Sequence, residues 1–281
     1  MSRRRFFPRA LAALTIACAS AIPALASRAA AQPTALLPDA ASGDVPATDF
    51  FAVGERLRYA VTIGRIRLGT ATLRVEGVER HGGTTLYRTS LEIDISAPLM
   101  SYRDRLVSWI EPIPFRSLAF MRRDKGEEKR MKRYTFDPDR DRATIELRDP
   151  DGGLLAPPID AGPTPENALD ELAALFFLRS TSLAPGETRT MHRYIDPSAD
   201  LMEFTRLADE KMRVPAGRFE TTVYRAIIPA LPAFRADRDA RIYVAEDVGR
   251  PIVMIETETK IGRLKLYLTD RTIVGAAGSR V

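Results

Sequence analysis

From Phe51 onward, apolar and polar residues alternate over short stretches, which is typical of β-strands with one buried face. The segment 57–63 places four apolar side chains on one face: Leu57, Tyr59, Val61 and Ile63. Gly64-Arg65 separates it from a second alternating segment, 66–75. A glycine followed by any residue favours a type II′ hairpin, because glycine adopts the positive φ of the first turn position. Gly69, inside the second segment, indicates a bulge.

The same pattern continues to the end of the chain, with turn residues between the segments. The further predicted strands are 86–95, 105–110, 115–123, 129–136, 143–148, 187–195, 201–208, 210–214, 219–228, 240–246, 251–261 and 263–269. Connections this short suit antiparallel strands, since parallel strands need long crossovers. The fold class is therefore predicted as mainly β: a large curved antiparallel sheet or partly open β-barrel.

One segment has the character of a helix. Thr164 can cap it, Pro165 suits the first helical position, and the stretch from Ala168 to Leu178 is almost entirely apolar. A helix that is apolar all round is buried on several sides, so we expect it to lie on the concave face of the sheet as a lid or plug. An apolar ligand cavity beneath it is predicted to be lined by Leu172, Leu175, Phe176, Tyr59 and Trp109.

The first 31 residues have the layout of a secretory signal peptide. Arginines occupy positions 3, 4, 5 and 9, the segment 11–22 is apolar, and small residues lead to a predicted cleavage between Ala31 and Gln32. The predicted location is the periplasm. We expect a flexible leader at 32–50, a single β-rich domain at 51–275 and a tail at 276–281.

Two details of the signal concern the export route and anchoring. The segment 2–7, S-R-R-R-F-F, fits a twin-arginine pattern, although arginine-rich starts are also common in ordinary secretory signals. Cys18 is the only cysteine, and Thr15 stands where a lipid-anchored protein has leucine or a similar residue, which argues against a lipid anchor. No segment after residue 31 is apolar enough to predict a transmembrane helix.

The charge of the chain belongs mostly to the signal. The formal net charge is +5, from 42 basic and 37 acidic residues. Five arginines lie within residues 1–31 and no acidic residue does, so 37 basic residues face 37 acidic ones in the remainder. The basic pI is thus no evidence for a nucleic-acid partner.

The segment 122–133 is locally basic. It is a candidate for contact with anionic surfaces such as lipid headgroups, through Arg122, Arg123, Lys129, Arg130, Lys132 and Arg133. Strand alternation groups Lys129, Met131 and Arg133 on one face and Arg130, Lys132 and Tyr134 on the other. The alternative interpretation is a solvated hairpin whose charges block edge-to-edge pairing.

Motifs for catalysis or metal binding are not found in the sequence. Its two histidines, His81 and His192, have no paired spacing, and no nucleophile or phosphate-loop motif occurs. The acidic run 137–141 departs from a calcium loop, which needs glycine at the sixth position and glutamate at the twelfth, where Arg142 and Arg148 stand. We therefore predict no catalytic residue, no metal site and no cofactor, and the enzyme question stays open.

Six short motifs, in order along the chain, carry a family resemblance. They are G-E-R-L-R-Y (54–59), I-R-L-G-T-A-T-L (66–73), Y-R-D-R-L-V-S-W-I-E-P (102–112), L-A-P-G-E-T (183–188), V-P-A-G-R-F-E-T (214–221) and I-Y-V-A-E-D-V-G-R-P-I (242–252). The chain resembles a family of exported bacterial proteins known only as a domain of unknown function. The resemblance implies a β-rich fold and a periplasmic or envelope location, and no activity.

Three functional hypotheses follow. The first is a non-catalytic binding or carrier module for an apolar envelope molecule, with the helix over a concave apolar face. The second is a scaffold or assembly factor that binds an envelope protein partner. The third, ranked last, is a hydrolase acting on an envelope component.

Overall fold

The computed structural model describes residues 50–81, 83–97, 100–124, 130–137, 142–149, 151–165, 167–194, 199–228, 240–259 and 262–274. The predicted signal, residues 32–49 of the predicted leader and the predicted tail lie outside the described residues. Within the described ranges the chain forms one helix and fourteen strands. The helix is α1 (Glu171–Ser180), and the strands are β1 (Glu55–Ile63), β2 (Ile66–His81), β3 (Thr84–Ala97), β4 (Met100–Pro112), β5 (Phe115–Asp124), β6 (Arg130–Asp137), β7 (Arg142–Arg148), β8 (Ile159–Pro163), β9 (Thr188–Tyr194), β10 (Ala199–Val214), β11 (Gly217–Ile227), β12 (Arg241–Ala245), β13 (Ile252–Thr259) and β14 (Gly262–Ile273).

All described strands belong to one antiparallel sheet in the order β8-β7-β6-β5-β4-β3-β2-β1-β14-β13-β12-β11-β10-β9. Two meandering arms, β1 to β8 and β9 to β14, therefore meet where β1 pairs with β14. The sheet is not closed, and β8 and β9 are its two edges. This confirms the predicted fold class of a large, partly open antiparallel sheet with one helix.

The predicted hairpin and bulge lie where expected. Gly64 has a φ of 56°, and β1 and β2 pair directly up to Ile63 and Ile66 on either side of the turn. Their register shifts between Val61 and Thr62, which places a bulge beside Gly69. A Cβ on Gly69 would lie 2.0 Å from the carbonyl oxygen of Asp94, so the neighbouring strand approaches closer than any side chain allows.

The predicted strand boundaries need two corrections. Segments 201–208 and 210–214 form one long strand, β10, whose register with β11 shifts between Arg206 and Asp209. A shift of this kind breaks the alternation without ending the strand. The edge strand β8 was not predicted, because Gly162 and Pro163 fall within its five residues.

The sheet curls until β5 and β9 lie on either side of one chain segment. The backbone N–H of Ser117 on β5 donates to the carbonyl of Ala168 at 3.0 Å. The N–H of Leu169 donates to the carbonyl of His192 on β9 at 2.8 Å. The segment that precedes α1 thus links two strands that the sheet order places far apart, and it brings the helix inside the curl.

The helix begins later than the sequence predicted. Its N-cap is Asp170, whose carboxylate accepts hydrogen bonds from the N–H groups of Leu172 and Ala173, both at 2.8 Å. The prediction that Thr164 and Pro165 start the helix is wrong. Residues 168 and 169 use their backbone groups on β5 and β9, so they are not available for helical hydrogen bonds.

Every residue of α1 from Glu171 to Arg179 is buried. We call the sheet face against which α1 packs the inner face. The ring of Phe51 stacks between Tyr87, with centroids 4.4 Å apart, and Phe176 of the helix, at 5.2 Å. The helix therefore belongs to the main hydrophobic core.

Candidate functional site

Polar groups hold the N-terminal end of α1 to the sheet. Asp170 is fully buried and accepts a hydrogen bond from the hydroxyl of Ser108 on β4 at 2.6 Å. The N–H of Asp170 donates to the hydroxyl of Ser117 on β5 at 2.8 Å. Burial raises the pKa of Asp170 to about 6, although the hydrogen bonds from Ser108, Ala173 and Ser117 oppose the rise.

A buried ion pair adjoins this cap. Arg193 on β9 donates to Glu171 at 3.2 Å, and the two side chains are 2% and 6% exposed. Since Leu169 also bonds to β9, the start of the helix is tied to both arms of the sheet. Breaking a buried pair by removing one partner leaves an uncompensated charge, so this contact fixes the position of the helix.

The C-terminal end of α1 is held by a second buried pair. Arg179 donates to Glu55 on β1 and to the carbonyl of Gly249, both at 2.6 Å. Arg271 on β14 donates to the other carboxylate oxygen of Glu55 at 3.1 Å. The guanidinium of Arg179 also lies 5.2 Å from the ring centre of Phe176. Both ends of the helix are thus attached by charged groups.

Four of the five predicted cavity residues come together. Leu172, Leu175, Phe176 and Tyr59 belong to the main core cluster, and the Tyr59 hydroxyl donates to the carbonyl of Ile252 at 2.9 Å. Burial raises the pKa of Tyr59. Three of these residues belong to α1, and Tyr59 lies on β1 in the same packed core.

Trp109, the fifth residue of that predicted set, lies apart from the other four. It belongs to a second cluster with Leu86, Val107 and Ala119, and its indole N–H donates to Glu79 at 2.9 Å. Its neighbour Ser108 bonds to Asp170 and therefore points to the inner face. Because successive residues of a strand point to opposite faces, Trp109 lies on the outer face, away from α1.

The predicted basic segment divides between the two faces. Tyr134 is buried in the main core, so Lys132 and Arg130, at alternate positions of the same strand, lie on its side. Arg133 lies on the outer face. Arg122 bonds to the buried Asp104 at 3.0 Å. The side chains of Arg123 and Lys129 lie outside the described residues.

The covered and uncovered parts of the inner face differ in exposure. Five inner-face residues on β3 to β7 pair directly from strand to strand. We call them the covered row: Thr89, Ser108, Phe120, Tyr134 and Ile145. All five are buried. Two residues along each strand, on the same face, lies the open row: Leu91, Leu106, Arg122, Lys132 and Leu147. All five of these side chains are partly exposed.

The sequence analysis missed the residues that anchor the helix. The available signal was the charged residues at both ends of the apolar stretch, which are Asp170, Glu171 and Arg179. The partners of these residues could not be predicted, because their roles depend on which strands contact the helix. These partners are Ser108, Ser117, Glu55 and Arg193.

Neither histidine side chains nor groups of metal-ligating side chains form part of the described contacts around α1. His192 is exposed on β9, and its carbonyl rather than its ring contacts the segment before α1. In the part of the chain that the structure describes, no three His, Cys, Asp or Glu side chains group as a metal site would require. No helix in these ranges has the length and apolar character needed to cross a bilayer.

The fold and the order of its motifs define a family rather than an activity. Residues 58–269 match the family described as "Protein of unknown function (DUF3108)", and the chain belongs to it. This confirms the resemblance seen in the sequence. No curated protein matches the chain in sequence.

Solved structures with low sequence identity cover much of the chain. A β-barrel-like protein of the family DUF1849 from Brucella abortus is 11% identical, with a TM-score of 0.49, covering 79% of this chain and 98% of its own. A candidate exported protein with a YmcC-like fold from Bacteroides fragilis is 11% identical, with a TM-score of 0.30, covering 80% and 100%. A candidate lipoprotein from Parabacteroides distasonis is 8% identical, with a TM-score of 0.29, covering 79% and 96%.

Proposed function

We propose that this protein is an exported, non-catalytic carrier or binding module for an apolar molecule of the cell envelope. One observation carries the proposal: an apolar helix, buried from Glu171 to Arg179, lies between the two arms of an open, curled sheet. The inner face continues beyond the helix as partly exposed side chains. An apolar ligand that binds there would pack against the existing hydrophobic core.

The energetics of such binding follow from the inner face. Each square ångström of apolar surface removed from water contributes about 25 cal/mol, so a ligand that covers Leu91 and Leu106 gains from surface that the protein alone leaves partly exposed. The ends of α1 are attached by buried charges at Asp170, Glu171 and Arg179. The helix therefore forms a fixed wall of the binding site.

Export is the second part of the proposal. It rests on the signal-like segment 1–31 and predicts a mature chain that begins at Gln32 in the periplasm. Intact-mass measurement of the protein from a periplasmic extract tests this directly. A protein that is recovered uncleaved from the cytoplasmic fraction would contradict it.

The test of the carrier function is to identify what the protein holds when it is purified gently from the periplasm. The mature protein is extracted with organic solvent and the extract is analysed by mass spectrometry. We expect one apolar compound in near-stoichiometric amount. An unrelated periplasmic protein of similar size, taken through the same steps, controls for carried-over membrane lipid. An empty protein, under conditions where a known lipid carrier keeps its cargo, argues against the proposal.

A scaffold function is the second candidate, and the edge strand β8 is the observation that favours it. Near this edge, Leu154, Leu155 and Ile159 are 46%, 51% and 50% exposed. Exposed apolar groups beside unpaired strand groups are a typical protein-docking surface. Crosslinking from position 155 in the periplasm should capture a specific envelope protein if this function holds, and crosslinking from the exposed Asp270 should not.

A further inference from the structure

We propose that one end of the sheet docks on a lipid surface, with four exposed aliphatic side chains entering the apolar layer and Arg271 contacting a lipid phosphate. We call the four residues the aliphatic rim: Val53, Val248, Ile273 and Val274. Their exposed fractions are 47%, 85%, 44% and 70%. This inference goes beyond the proposed carrier function and does not require that the protein holds a ligand.

The strand order brings these four residues to the same end of the sheet. The strands β1, β14, β13 and β12 are antiparallel neighbours, so the start of β1, the end of β14 and the connection between β12 and β13 lie together. The N–H of Val274 donates to the carbonyl of Gly54 at 2.9 Å. The guanidinium of Arg271 donates to the carbonyl of Val248 at 2.9 Å. Three separate segments of the chain thus form one surface.

Val248 lies in a tight turn that the core holds in place. The N–H of Arg250 donates to the carbonyl of Asp247 at 2.8 Å, and Gly249 has a φ of 76°, which glycine adopts without steric cost. The buried Arg179 of α1 donates to the carbonyl of Gly249 at 2.6 Å. Because the turn is attached to the helix, a partner that covers Val248 does not have to order the turn first.

A positive charge lies directly behind the rim. Glu55 accepts hydrogen bonds from Arg179 at 2.6 Å and from Arg271 at 3.1 Å, so two guanidiniums share one carboxylate. Arg271 is 25% exposed, whereas Arg179 and Glu55 are each 1% exposed. The exposed guanidinium is complementary to a phosphate. The exposed Asp247 offsets part of this attraction, so we expect the aliphatic contact to contribute most of the affinity.

The form of this surface favours a lipid layer over a protein partner. Each side of a stable protein complex buries about 800 Å². Four aliphatic side chains supply much less than this area. A lipid layer needs no matching shape, since binding to it depends on the apolar area inserted and on the attraction between cations and head groups. Aliphatic side chains beside an exposed arginine provide both.

The experiment measures binding of the mature protein to vesicles of phosphatidylcholine and to vesicles of phosphatidylcholine mixed with phosphatidylglycerol. Co-sedimentation gives the affinity for each. Val248→Asp places a charge at the most exposed position of the rim. Ile66→Asp is the matched control, because Ile66 is 66% exposed at the β1–β2 hairpin, at the opposite end of the sheet. Thermal unfolding verifies that both variants are folded.

We expect the wild type to bind both kinds of vesicle, and the vesicles with phosphatidylglycerol more tightly. V248D should weaken binding to both about tenfold, and I66D should leave it unchanged.

A second measurement locates the contact. Cys18 is the only cysteine of the chain and precedes the predicted cleavage site, so Val248→Cys and Ile66→Cys each give the mature protein a single thiol. Each thiol is labelled with an environment-sensitive nitrobenzoxadiazole dye. Addition of vesicles should shift the emission to the blue at position 248 and leave it unchanged at position 66.

Two results overturn the inference. If the wild type binds neither kind of vesicle, or if V248D and I66D bind equally well, the lipid surface is wrong. If light scattering shows a dimer of the wild type and a monomer of V248D, the rim joins two copies of the chain instead. In both cases the solvent extract still decides separately whether the protein carries an apolar molecule.

Discussion

The buried carboxyl of Asp170 should make the stability of this protein depend on pH in a predictable direction. The perturbation is Asp170→Asn, which removes the titrating group and keeps an oxygen that can accept from the N–H groups of Leu172 and Ala173. In the folded protein the pKa of Asp170 is raised from 3.8 to about 6. The stability associated with the protonated form is fully present below pH 3.8 and is lost as the pH rises through about 6.

The size of the effect follows from the shift. A pKa difference of about two units corresponds to about 3 kcal/mol, since each unit is worth about 1.4 kcal/mol. The free energy of unfolding of the wild type, relative to that of D170N, should therefore decrease by about 3 kcal/mol between pH 3.8 and about 6 and then stay constant.

Urea unfolding of the mature protein at a series of pH values measures this difference. The fluorescence of Trp109, the single tryptophan of the chain, reports on the transition, and circular dichroism checks that it is two-state. The exposed Asp270, changed to Asn, is the matched control and should run parallel to the wild type. If the difference in unfolding free energy between the wild type and D170N does not change with pH, the assignment of a raised pKa to Asp170 is refuted.

Three further changes test the core contacts, each by chemical unfolding of the variant. Arg179→Met leaves the buried Glu55 with less compensation and should cost about 3 to 5 kcal/mol, and adding Glu55→Gln should recover part of it. Phe176→Ala should cost about 3 to 5 kcal/mol through the cavity it creates, and a cost under about 1 kcal/mol would mean that the helix is not part of the core. Gly69→Ala should cost about 1 to 3 kcal/mol because its Cβ meets the carbonyl of Asp94, whereas the same change at Gly77, where nothing lies within 4 Å, should cost less.

The strands were predictable because the sheet imposes its period on the sequence. In 57–63 the alternating apolar residues are those that face the core, and Gly64 marks the turn. Where the sheet departs from this regularity, the prediction failed. The shift between Arg206 and Asp209 divided one strand into two, and β8 pairs at an edge where its residues need no apolar alternation.

The helix start was missed for a related reason. Capping residues at Thr164 and Pro165 satisfied the local rules, but Ala168 and Leu169 have partners on β5 and β9 that the local sequence does not reveal. Because those backbone groups form tertiary hydrogen bonds, Asp170 is the first position that can cap the helix. Local sequence propensity predicts that a helix forms, but contacts with the surrounding sheet determine the residue at which it begins.

The candidate site shows what alternation can and cannot determine. It groups Arg130 and Lys132 with Tyr134, but it does not say which group faces inward. For the same reason it does not separate Trp109 from the residues around the helix. The burial of Tyr134 against Phe120 sets the orientation of β6. Arg130 and Lys132, which were expected to contact an external anionic surface, therefore lie on the same face as Tyr134. The core contacts of Tyr134, rather than the alternation within β6, thus decide on which face of the sheet these two cations lie.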